Sequence, residues 1–257
     1  MTVDPTERFS SRVDNYARYR PTYPSALFDL LRERCGLARG VRVADIGSGT
    51  GILTGQLLAG GAEVFAVEPN RGMREAAERQ LAGSPNFHSI PGTAEATTLA
   101  PRSVALVVAA QAFHWFAPAR ARNELARILE PAGWAALIWN ERPPDATPFF
   151  ADYESLLRRH CAEYDQVTGS RADGAAIREF FGREPELAAF PHRQVFDLEG
   201  LKGRLMSSSY APERGHPEHE PLICGLEAVF ARHQLGGEVV FPYRTLVYFG
   251  RLAPGAG

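Results

Sequence analysis

Lysine is almost absent from this sequence, because Lys202 is the one lysine among 28 basic residues. A mechanism that needs several lysines is therefore excluded. The three cysteines, Cys35, Cys161 and Cys224, lie far apart without metal-ligand spacing, which is typical of a reduced cytoplasmic compartment. The formal net charge of -2 gives no bulk attraction to nucleic acid or to an anionic membrane surface.

Long apolar runs are also missing. No stretch approaches the roughly 20 apolar residues of a membrane span. The first residues include Asp4, Glu7 and Arg8 in place of the apolar region of a secretory signal. With 257 residues, 45% of them hydrophobic, the chain suits one α/β domain with a small cap. We therefore expect a cytoplasmic protein without a membrane span.

The most informative stretch is a glycine-rich turn between a predicted strand and a predicted helix. Apolar residues at positions 41, 43, 44 and 46 predict a short buried strand, which leads through Gly47-Ser48-Gly49-Thr50-Gly51 into a helix. The glycines permit unusual backbone conformations and let a ligand lie against bare backbone. The start of the helix adds free N–H groups and a partial positive charge. This turn predicts a nucleotide-like cofactor.

Strands and helices alternate from residue 41 to residue 140. Further strands are predicted at 62–68, 86–91, 104–110 and 134–139. The alternation predicts a parallel sheet with helices on both faces. Beyond Glu141 prolines interrupt this pattern. Helices are predicted there at 149–164, 175–182, 200–208 and 222–235, and strands at 190–198 and 238–250. In the last strand Pro242 indicates a bulge or an edge.

Two side chains at predicted strand ends are candidates for chemistry. Glu68 follows the second strand, 23 residues after Asp45, where a carboxylate can accept hydrogen bonds from both ribose hydroxyls of a nucleotide. The alternative is that Glu68 serves only the dipole of the next helix. His114 follows the fourth strand and is the best candidate for a general base. Its alternative role is packing against Trp115 and Phe116.

Two cofactor classes compete for the glycine turn. A nicotinamide dinucleotide site favours Gly-x-Gly-x-x-Gly, whereas the third glycine here, Gly51, comes one position earlier. The most populous dehydrogenase type also needs Tyr-x-x-x-Lys, and the residue four before Lys202 is Leu198. A dehydrogenase therefore remains only a distant alternative.

The combination of motifs resembles the class I S-adenosylmethionine-dependent methyltransferases, and among them the methyltransferase type 11 group of small-molecule enzymes. The strongest matches are Val43-Ala-Asp45-Ile-Gly-Ser-Gly-Thr-Gly51, Val67-Glu68-Pro-Asn70 with Met73, Gly92-Thr-Ala94-Glu95 and Gln111-Ala-Phe-His-Trp-Phe116. Tyr19-Arg20-Pro21-Thr-Tyr23-Pro24 and Glu124-Leu-x-Arg-Ile-Leu-x-Pro-x-Gly133 also match. The resemblance covers residues 10–140 strongly and the remainder weakly.

The resemblance implies a role for each matching position. Gly47, Ser48 and Gly49 would lie against the methionine part and ribose of the cofactor. Asp45 would either support that loop or bind the amino group of the cofactor. Glu68 would hold the ribose hydroxyls. The remaining cofactor-binding positions implied are Pro69, Met73, Ala94 and Glu95 around adenine, Gln111 and Ala112 near the sulfonium, Arg20 on the carboxylate, and Tyr16 and Tyr19 in a lid.

The resemblance also implies a fold and its divisions. It indicates a Rossmann-like α/β fold with a seven-stranded, mostly parallel sheet, an antiparallel last strand and a small helical cap inserted after the fifth strand. The expected divisions are a lid with the first helix at 1–40, a cofactor-binding core at 41–140, a cap insertion at 141–189 and sheet-completing elements at 190–257.

The implied reaction is an in-line displacement that moves the methyl group of S-adenosylmethionine to a small-molecule acceptor. The alternative is a non-catalytic S-adenosylmethionine-binding regulator or partner protein. The motif of nucleic-acid amino-methyltransferases is absent, so we expect no nucleic-acid substrate. The aromatic residues expected at the mouth of the site, Phe113, Trp115, Phe116, Trp139, Phe149 and Phe150, suit a small, partly apolar acceptor.

Several further residues are interpreted as structural or solvated. His216 and His219 are separated by a proline and a glutamate, which predicts a solvated loop and no metal site. The segment Ser207-Ser-Ser-Tyr210 resembles one that borders the substrate chamber in this group, but an arginine often found there is missing. Tyr243 and Arg244 lie on the predicted last strand and are interpreted as structural. The oligomeric state and the acceptor atom stay open.

Overall fold

Helices and strands alternate along the chain in the computed structural model, which describes residues 18–142, 147–165 and 174–252. In chain order the elements are α1 (Ser25–Cys35), β1 (Arg42–Ile46), α2 (Ile52–Ala59), β2 (Glu63–Val67), α3 (Arg71–Leu81), β3 (Phe87–Ile90), β4 (Val104–Ala110), α4 (Pro118–Ile128), β5 (Leu129–Glu141), α5 (Pro148–His160), α6 (Gly174–Phe181), β6 (Glu186–Phe196), α7 (Leu198–Met206), α8 (His219–His233) and β7 (Val239–Gly250).

The seven strands form one sheet in the order β3-β2-β1-β4-β5-β7-β6. The first five strands pair in parallel, and β7 is antiparallel to both of its neighbours, β5 and β6. The predicted fold class is confirmed. The chain reverses its direction of travel across the sheet between β1 and β4. In open α/β sheets the crevice at such a switch point, beyond the carboxyl ends of the strands, is where ligands bind.

The apolar strands alternate their side chains between two helical layers. On one face Val43 and Leu106 pack with α1 and α2, to which Leu27 and Leu57 contribute. On the other face Ala44 and Val107 pack with α4 and α6, where Phe180 is fully buried. Because both faces of β1 and β4 are covered, these strands are apolar almost throughout. Their rigid ends then position the turns that follow them.

A third apolar cluster lies outside the two sheet faces. It joins α5, α7 and α8 to the first half of β7, with Phe150, Tyr153, Leu205, Leu226 and Phe241 at its centre. These three helices form the cap, which therefore comes from two segments, one after β5 and one after β6. The helix α6 belongs elsewhere, since it packs against α4 on the sheet. The division of the chain at 40, 140 and 189 stays a prediction.

Two prolines lie within strands of the sheet, one beyond the end of the pairing with β5 and one at a register shift. Pro242 is in the part of β7 that extends beyond β5 and pairs with β6 alone, which agrees with the predicted edge. The register runs through Arg193↔Pro242 without a shift, so the bulge is not present. Pro131 lies in β5 where its pairing with β4 shifts register. None of the helices in the described part of the chain combines the length and apolarity needed to cross a membrane.

Candidate functional site

The glycine-rich turn connects β1 to α2 at the switch point of the sheet. Gly47 and Gly49 have φ angles of 68° and 58°, a region that residues with a Cβ rarely adopt. A Cβ placed on Gly47 would lie 2.6 Å from the Cβ of Ala112, which follows β4. The turn is tied to β2 because the N–H groups of Gly47 and Ser48 donate to the Val67 carbonyl at 2.8 and 3.2 Å. Bare backbone therefore borders the space beside the turn.

A cleft of about 320 Å³, solvent at its mouth included, lies against this turn. Its lining residues are Tyr23, Asp45, Gly47, Ser48, Gly49, Thr50, Ile52, Leu53 and Ala110. Within the described residues, three buried oxygens of this lining have no hydrogen-bond partner: Asp45 Oδ1, Ser48 Oγ and Thr50 Oγ1. Buried polar atoms are rarely left unpaired in folded proteins, so such a group indicates a place for a polar ligand.

Glu68 lies at the carboxyl end of β2 and contacts the glycine turn directly. Its Oε2 accepts a 2.8 Å hydrogen bond from the Gly49 N–H, and its Oε1 accepts one of 2.8 Å from the Asn70 N–H. The side chain is buried, and burial raises the pKa of this carboxyl, against the opposing effect of both N–H groups and of Arg74. A carboxylate has about four lone-pair sites, so two remain for further donors.

Asp45, near the end of β1, is 1% exposed. Its Oδ2 accepts a 2.7 Å hydrogen bond from the Thr54 hydroxyl in α2, while Oδ1 is the unpaired atom in the cleft. Burial raises the pKa of Asp45 to about 7, which outweighs the Thr54 hydrogen bond. This carboxyl thus connects the strand, the helix and the cleft.

The start of α3 supports the same turn from the β2 side. Asn70 caps this helix, because its Oδ1 accepts a 2.9 Å hydrogen bond from the Met73 N–H. Met73 is buried, and its Sδ lies 3.8 Å from where a Cβ on Gly49 would be. Pro69 is exposed between Glu68 and the helix. The predicted adenine-flanking residues Pro69 and Met73 therefore lie beside the turn.

The residues after β3 have a structural role that the sequence did not indicate. Ala94 is buried in the core cluster beneath the sheet. The Oε1 of Glu95 accepts a 2.8 Å hydrogen bond from the Ala117 N–H, at the start of α4. A carboxylate at that position satisfies a free helix N–H and interacts favourably with the helix dipole. The roles of Ala94 and Glu95 at an adenine edge stay predictions.

Gln111 and Ala112 occupy the end of β4, opposite the glycine turn. Gln111 has a φ of 57°, an uncommon value for a residue with a side chain, and such strain is concentrated at functional sites. Its N–H donates to the Ile138 carbonyl at 2.9 Å, and its Nε2 donates to the Asn140 carbonyl at 3.1 Å. The turn between β4 and α4 is thereby fixed to β5.

His114 lies in a short 3₁₀ helix, Phe113–Trp115, after Gln111. Burial lowers the pKa of this imidazole to about 4, so the ring is neutral at pH 7. Its centroid is 4.8 Å from that of Trp115, and no hydrogen bond to the ring occurs within the described residues. The histidine is in the place that the sequence predicts for a base, and a catalytic role stays a prediction.

The aromatic residues expected at a substrate-facing mouth are mostly core residues. Phe113 is 2% exposed and packs edge-on against Phe116, Trp139 and Phe180. Phe149 and Phe150 belong to the third apolar cluster, around Phe241. Trp115, at 41%, is the one large exposed aromatic among the six predicted. Packing of the sheet and cap accounts for these rings without a substrate.

The comparisons with known proteins agree with this geometry. A family model described as a methyltransferase domain matches residues 44–137. An uncharacterized methyltransferase of Schizosaccharomyces pombe is 32% identical over 251 residues, covering 96% of this chain and 97% of the relative. The chain belongs to the class I S-adenosylmethionine-dependent methyltransferases of the type 11 group.

Two further similarities are to a relative over part of its length and to a solved structure at low sequence identity. An uncharacterized methyltransferase of Mycobacterium tuberculosis is 42% identical over 134 residues, and the match spans about half of each protein, 52%. A solved structure from Anaeromyxobacter dehalogenans, described as a type II methyltransferase, has a TM-score of 0.65 at 23% identity, over 92% of this chain and 100% of that one. This structural likeness shows the shared fold.

The cleft fits the cofactor of the family in three respects. Gly47 and Gly49 line the cleft without side chains of their own. The unpaired oxygens of Asp45, Ser48 and Thr50 can accept from an amino group or from hydroxyls. Glu68 is beside them with spare acceptor capacity. The residues present are therefore compatible with S-adenosylmethionine.

Tyr19 and Arg20 contact the cap. The Tyr19 ring lies over Gly203 of α7, and its carbonyl accepts a 3.3 Å hydrogen bond from Gln194 Nε2. Arg20 Nη2 donates to the Ser207 carbonyl at 3.0 Å. Three residues further on, Tyr23 lines the cleft. Cofactor contacts of Tyr19 and Arg20 stay predictions, and Tyr16 lies outside the described residues.

The cap also contains a polar cluster that the sequence did not indicate. We call Arg142, Tyr153, Arg204 and Tyr210 the cap cluster. Arg204 is 4% exposed, and its Nε donates to the Tyr243 hydroxyl at 3.1 Å. The spacing of these residues follows no helical or strand period, so no pattern in the sequence could have grouped them.

The histidine-containing segment near α8 is ordered. His219 begins α8, is buried, and its Nδ1 is 2.9 Å from the Pro212 carbonyl, so the prediction of a solvated loop is wrong for this residue. Glu218 pairs with His160, at 2.6 Å between Oε2 and Nδ1. Across residues 18–142, 147–165 and 174–252 no three His, Cys, Asp or Glu side chains are grouped to hold a metal.

Proposed function

We propose that this protein is an enzyme that transfers the methyl group of S-adenosylmethionine to a small-molecule acceptor. The observation that carries the proposal is the hydrogen bond from the Gly49 N–H to Glu68. It brings the acid of β2 to the bare-backbone turn after β1, and the two together suit an adenosine ribose and the chain attached to it.

In this proposal each group of residues contacts a different part of the cofactor. Glu68 accepts from the two ribose hydroxyls. Asp45, with its unpaired Oδ1, receives the amino group of the methionine part, while Gly47, Ser48 and Gly49 provide backbone contact. Pro69 and Met73, with Ala94 and Glu95, border adenine, and Gln111 and Ala112 border the sulfonium. The bound cofactor supplies a methyl group already activated by positive sulfur.

The contribution of the chain is positioning more than covalent chemistry. Holding two reactants in line can supply roughly 7–11 kcal/mol of a bimolecular barrier. Tyr23 lines the cleft, and Gln111, in a strained conformation, directly follows the lining residue Ala110; in this proposal the acceptor is held near these two residues. His114 is neutral and is the candidate to accept a proton or a hydrogen bond from the acceptor.

A small-molecule acceptor is supported by how the cap and the cleft are connected. Residues 19–23 run from α7, where Arg20 donates to Ser207, to the cleft, where Tyr23 is part of the lining. Asn140 Nδ2 holds this segment by donating to the Thr22 carbonyl at 3.0 Å. A site bordered on that side by ordered chain favours a compact acceptor over a polymer.

We also propose a cytoplasmic location. Cys35 and Cys224 are free thiols, and Cys35 is buried without a disulfide partner within the described chain. Free thiols persist where glutathione and thioredoxin keep proteins reduced. Fractionation of the source cells, with the protein found in the soluble fraction, tests this location.

The test of the proposed activity combines cofactor binding with turnover. Calorimetry with S-adenosylhomocysteine is expected to give saturable binding, which Glu68→Ala weakens. A cell extract is then divided into a low-molecular-weight filtrate and a macromolecular retentate, and each is incubated with the protein and methyl-labelled cofactor. We expect label transfer and S-adenosylhomocysteine release with the filtrate.

Each other outcome has a definite meaning. Transfer with the retentate alone contradicts the small-molecule acceptor. Binding of the cofactor without release in either fraction supports the non-catalytic regulator instead. Saturable binding of NADH without S-adenosylhomocysteine binding would support a dehydrogenase instead.

A further inference from the structure

The cap cluster contains more buried positive charge than the described residues around it neutralise. Arg204 is 4% exposed and its hydrogen-bond partners are neutral: Tyr243, Ser207 and Ser208, at 3.1, 3.4 and 3.2 Å. No carboxylate of the described residues forms an ion pair with it. A guanidinium taken out of water without a counter-charge is strongly disfavoured unless something else supplies that charge.

The second arginine of the cluster is paired only in part. The side chain of Arg142 is 10% exposed, and its Nη2 donates to the Tyr164 hydroxyl at 3.1 Å and lies 3.7 Å from Glu154 Oε1. Glu154 is shared, because its other oxygen is 3.6 Å from Arg158 and also accepts from Tyr164. Glu154 therefore serves Arg142 and Arg158, whereas Arg204 pairs with no described carboxylate, which leaves an excess of about one positive charge.

Two donors of the cluster have no acceptor within the described residues. They are Arg142 Nη1 and the Tyr153 hydroxyl. Tyr153 is fully buried, and its neighbours include the rings of Phe150 and Phe241, which offer no acceptor. Both groups are hydrogen-bond donors, so their pairing requires an acceptor atom of a ligand. Because the cluster also has an excess of positive charge, a negatively charged acceptor fits it best.

The electrostatics of Tyr210 agree with this charge balance. Burial would raise the pKa of its phenol, but the positive charges of Arg142 and Arg204, with Arg20, lower it below the ordinary value. A site that favours the anionic form of a partly buried phenol is electropositive. Both arginines act on Tyr210, so the positive potential of the cluster is concentrated near this hydroxyl.

The cluster is connected to the carboxyl edge of the sheet, where the cofactor cleft lies. Arg142 follows β5 directly, two residues after Asn140, whose carbonyl accepts from Gln111 at the end of β4. From the other side, Arg20 reaches Ser207, beside the Ser208 that contacts Arg204. The electropositive cluster thus borders the region between the cap and the end of β4.

We propose that Arg142, Arg204, Tyr153 and Tyr210 bind a carboxylate group of the methyl acceptor. This inference rests on the proposed methyltransferase function and names the chemical class of its substrate. A carboxylate matches the excess of one charge and the planar fork of an arginine. A phosphate dianion carries more charge than the cluster lacks.

The test compares acids with their uncharged analogues on the protein saturated with S-adenosylhomocysteine. The probes are pooled small carboxylic acids, the primary amides made from the same acids, and inorganic phosphate. We expect a saturable rise of the melting temperature with an acid pool and none with the matched amides. With S-adenosylmethionine in its place, we expect the same acid pool to give S-adenosylhomocysteine release.

Three variants assign the effect to the cluster. Arg204→Gln is expected to weaken binding of the responding acid at least 100-fold, and Tyr153→Phe about tenfold. Arg232→Gln is the matched control, since Arg232 is an exposed arginine on α8 that pairs with Asp152. Tyr153→Phe removes only a hydroxyl that has no partner among the described residues, so we expect the variant to fold at least as stably as the parent.

Calorimetry with S-adenosylhomocysteine separates the two proposals. If the cofactor does not bind, the proposed function fails. If it binds, this inference is overturned by equal response to acids and amides, by a stronger response to phosphate, by silence with every pool, or by a Tyr153→Phe variant that binds the acid unchanged. Loss of folding in Arg204→Gln leaves Tyr153→Phe as the deciding variant.

Discussion

The backbone N–H of Gly49 donates a 2.8 Å hydrogen bond to Oε2 of Glu68. These residues belong to two different strand ends, and the bond fixes the acid of β2 against the turn that follows β1. Because the carboxylate keeps unused lone pairs, it can hold the turn and accept from a ligand at once.

Removing the Glu68 carboxylate should weaken cofactor binding. A hydrogen bond to a charged group contributes about 1.5–3 kcal/mol, so we expect Glu68→Ala to raise the Kd of S-adenosylhomocysteine roughly 10–100-fold. Calorimetry measures this change. Glu63→Ala is the control, because Glu63 is an acid at the opposite end of β2 that pairs with His88. An equal effect of both variants would contradict the assignment of Glu68.

Asp45 should make stability depend on pH. Burial raises its pKa from 3.8 to about 7, so the folded protein holds this proton over that range while the unfolded chain has released it. The associated stability is present below pH 3.8 and is lost as pH rises through 7, a change of about 4 kcal/mol. In urea unfolding, the free energy of unfolding of Asp45→Asn should rise relative to that of the parent between pH 5 and 8. If the free energies of unfolding of parent and variant change in parallel with pH, the raised pKa of Asp45 is not the cause.

The same substitution should act in the opposite direction on cofactor binding. The charged form of Asp45 attracts an ammonium group, so the affinity of the parent for S-adenosylhomocysteine should rise between pH 6 and 8. Asp45→Asn removes the charge and should bind more weakly with a flatter pH dependence. A variant that gains stability and keeps full, pH-dependent affinity would show that Asp45 has no contact with the ligand.

His114 should remain neutral throughout the physiological range. Burial lowers the pKa of the imidazole to about 4, and no described carboxylate pairs with it to oppose this effect. Imidazole NMR signals recorded against pH, assigned by their loss in His114→Gln, should titrate near pH 4. A midpoint near 6.5 would show a solvated ring. An imidazole of such low pKa is a weak base, and a carboxylate acceptor needs none.

Gly203 should be required for docking of Tyr19 and its neighbours against α7. A Cβ at this position of α7 would overlap the Tyr19 ring, so Gly203→Ala must displace that ring. We expect faster tryptic cleavage after Arg18, although alanine stabilises a helix by about 1 kcal/mol over glycine. Tyr19→Ala provides the matched background. If Gly203→Ala also accelerates cleavage in the Tyr19→Ala protein, displacement of the Tyr19 ring is not the cause.

Local sequence patterns were sufficient to predict the arrangement of the core. The β–α alternation over 41–140 and the glycine turn gave the fold class and the position of the cleft, because strand period, turn residues and buried runs are short-range features. The same features carried the family resemblance. They located Asp45, Glu68 and Gln111 at strand ends, which parallel topology brings to one edge.

Only the tertiary structure decided how these side chains are used. Glu95 caps α4 through Ala117, a partner 22 residues away, and the buried surroundings of Asp45 and His114 move their pKa values in opposite directions. Arg142 and Arg204 come from separate segments on either side of β6, and their shared burial beside Tyr153 depends on how α5, α7 and β7 pack. Sequence spacing carries no information about such contacts, because burial and charge balance arise when distant segments meet.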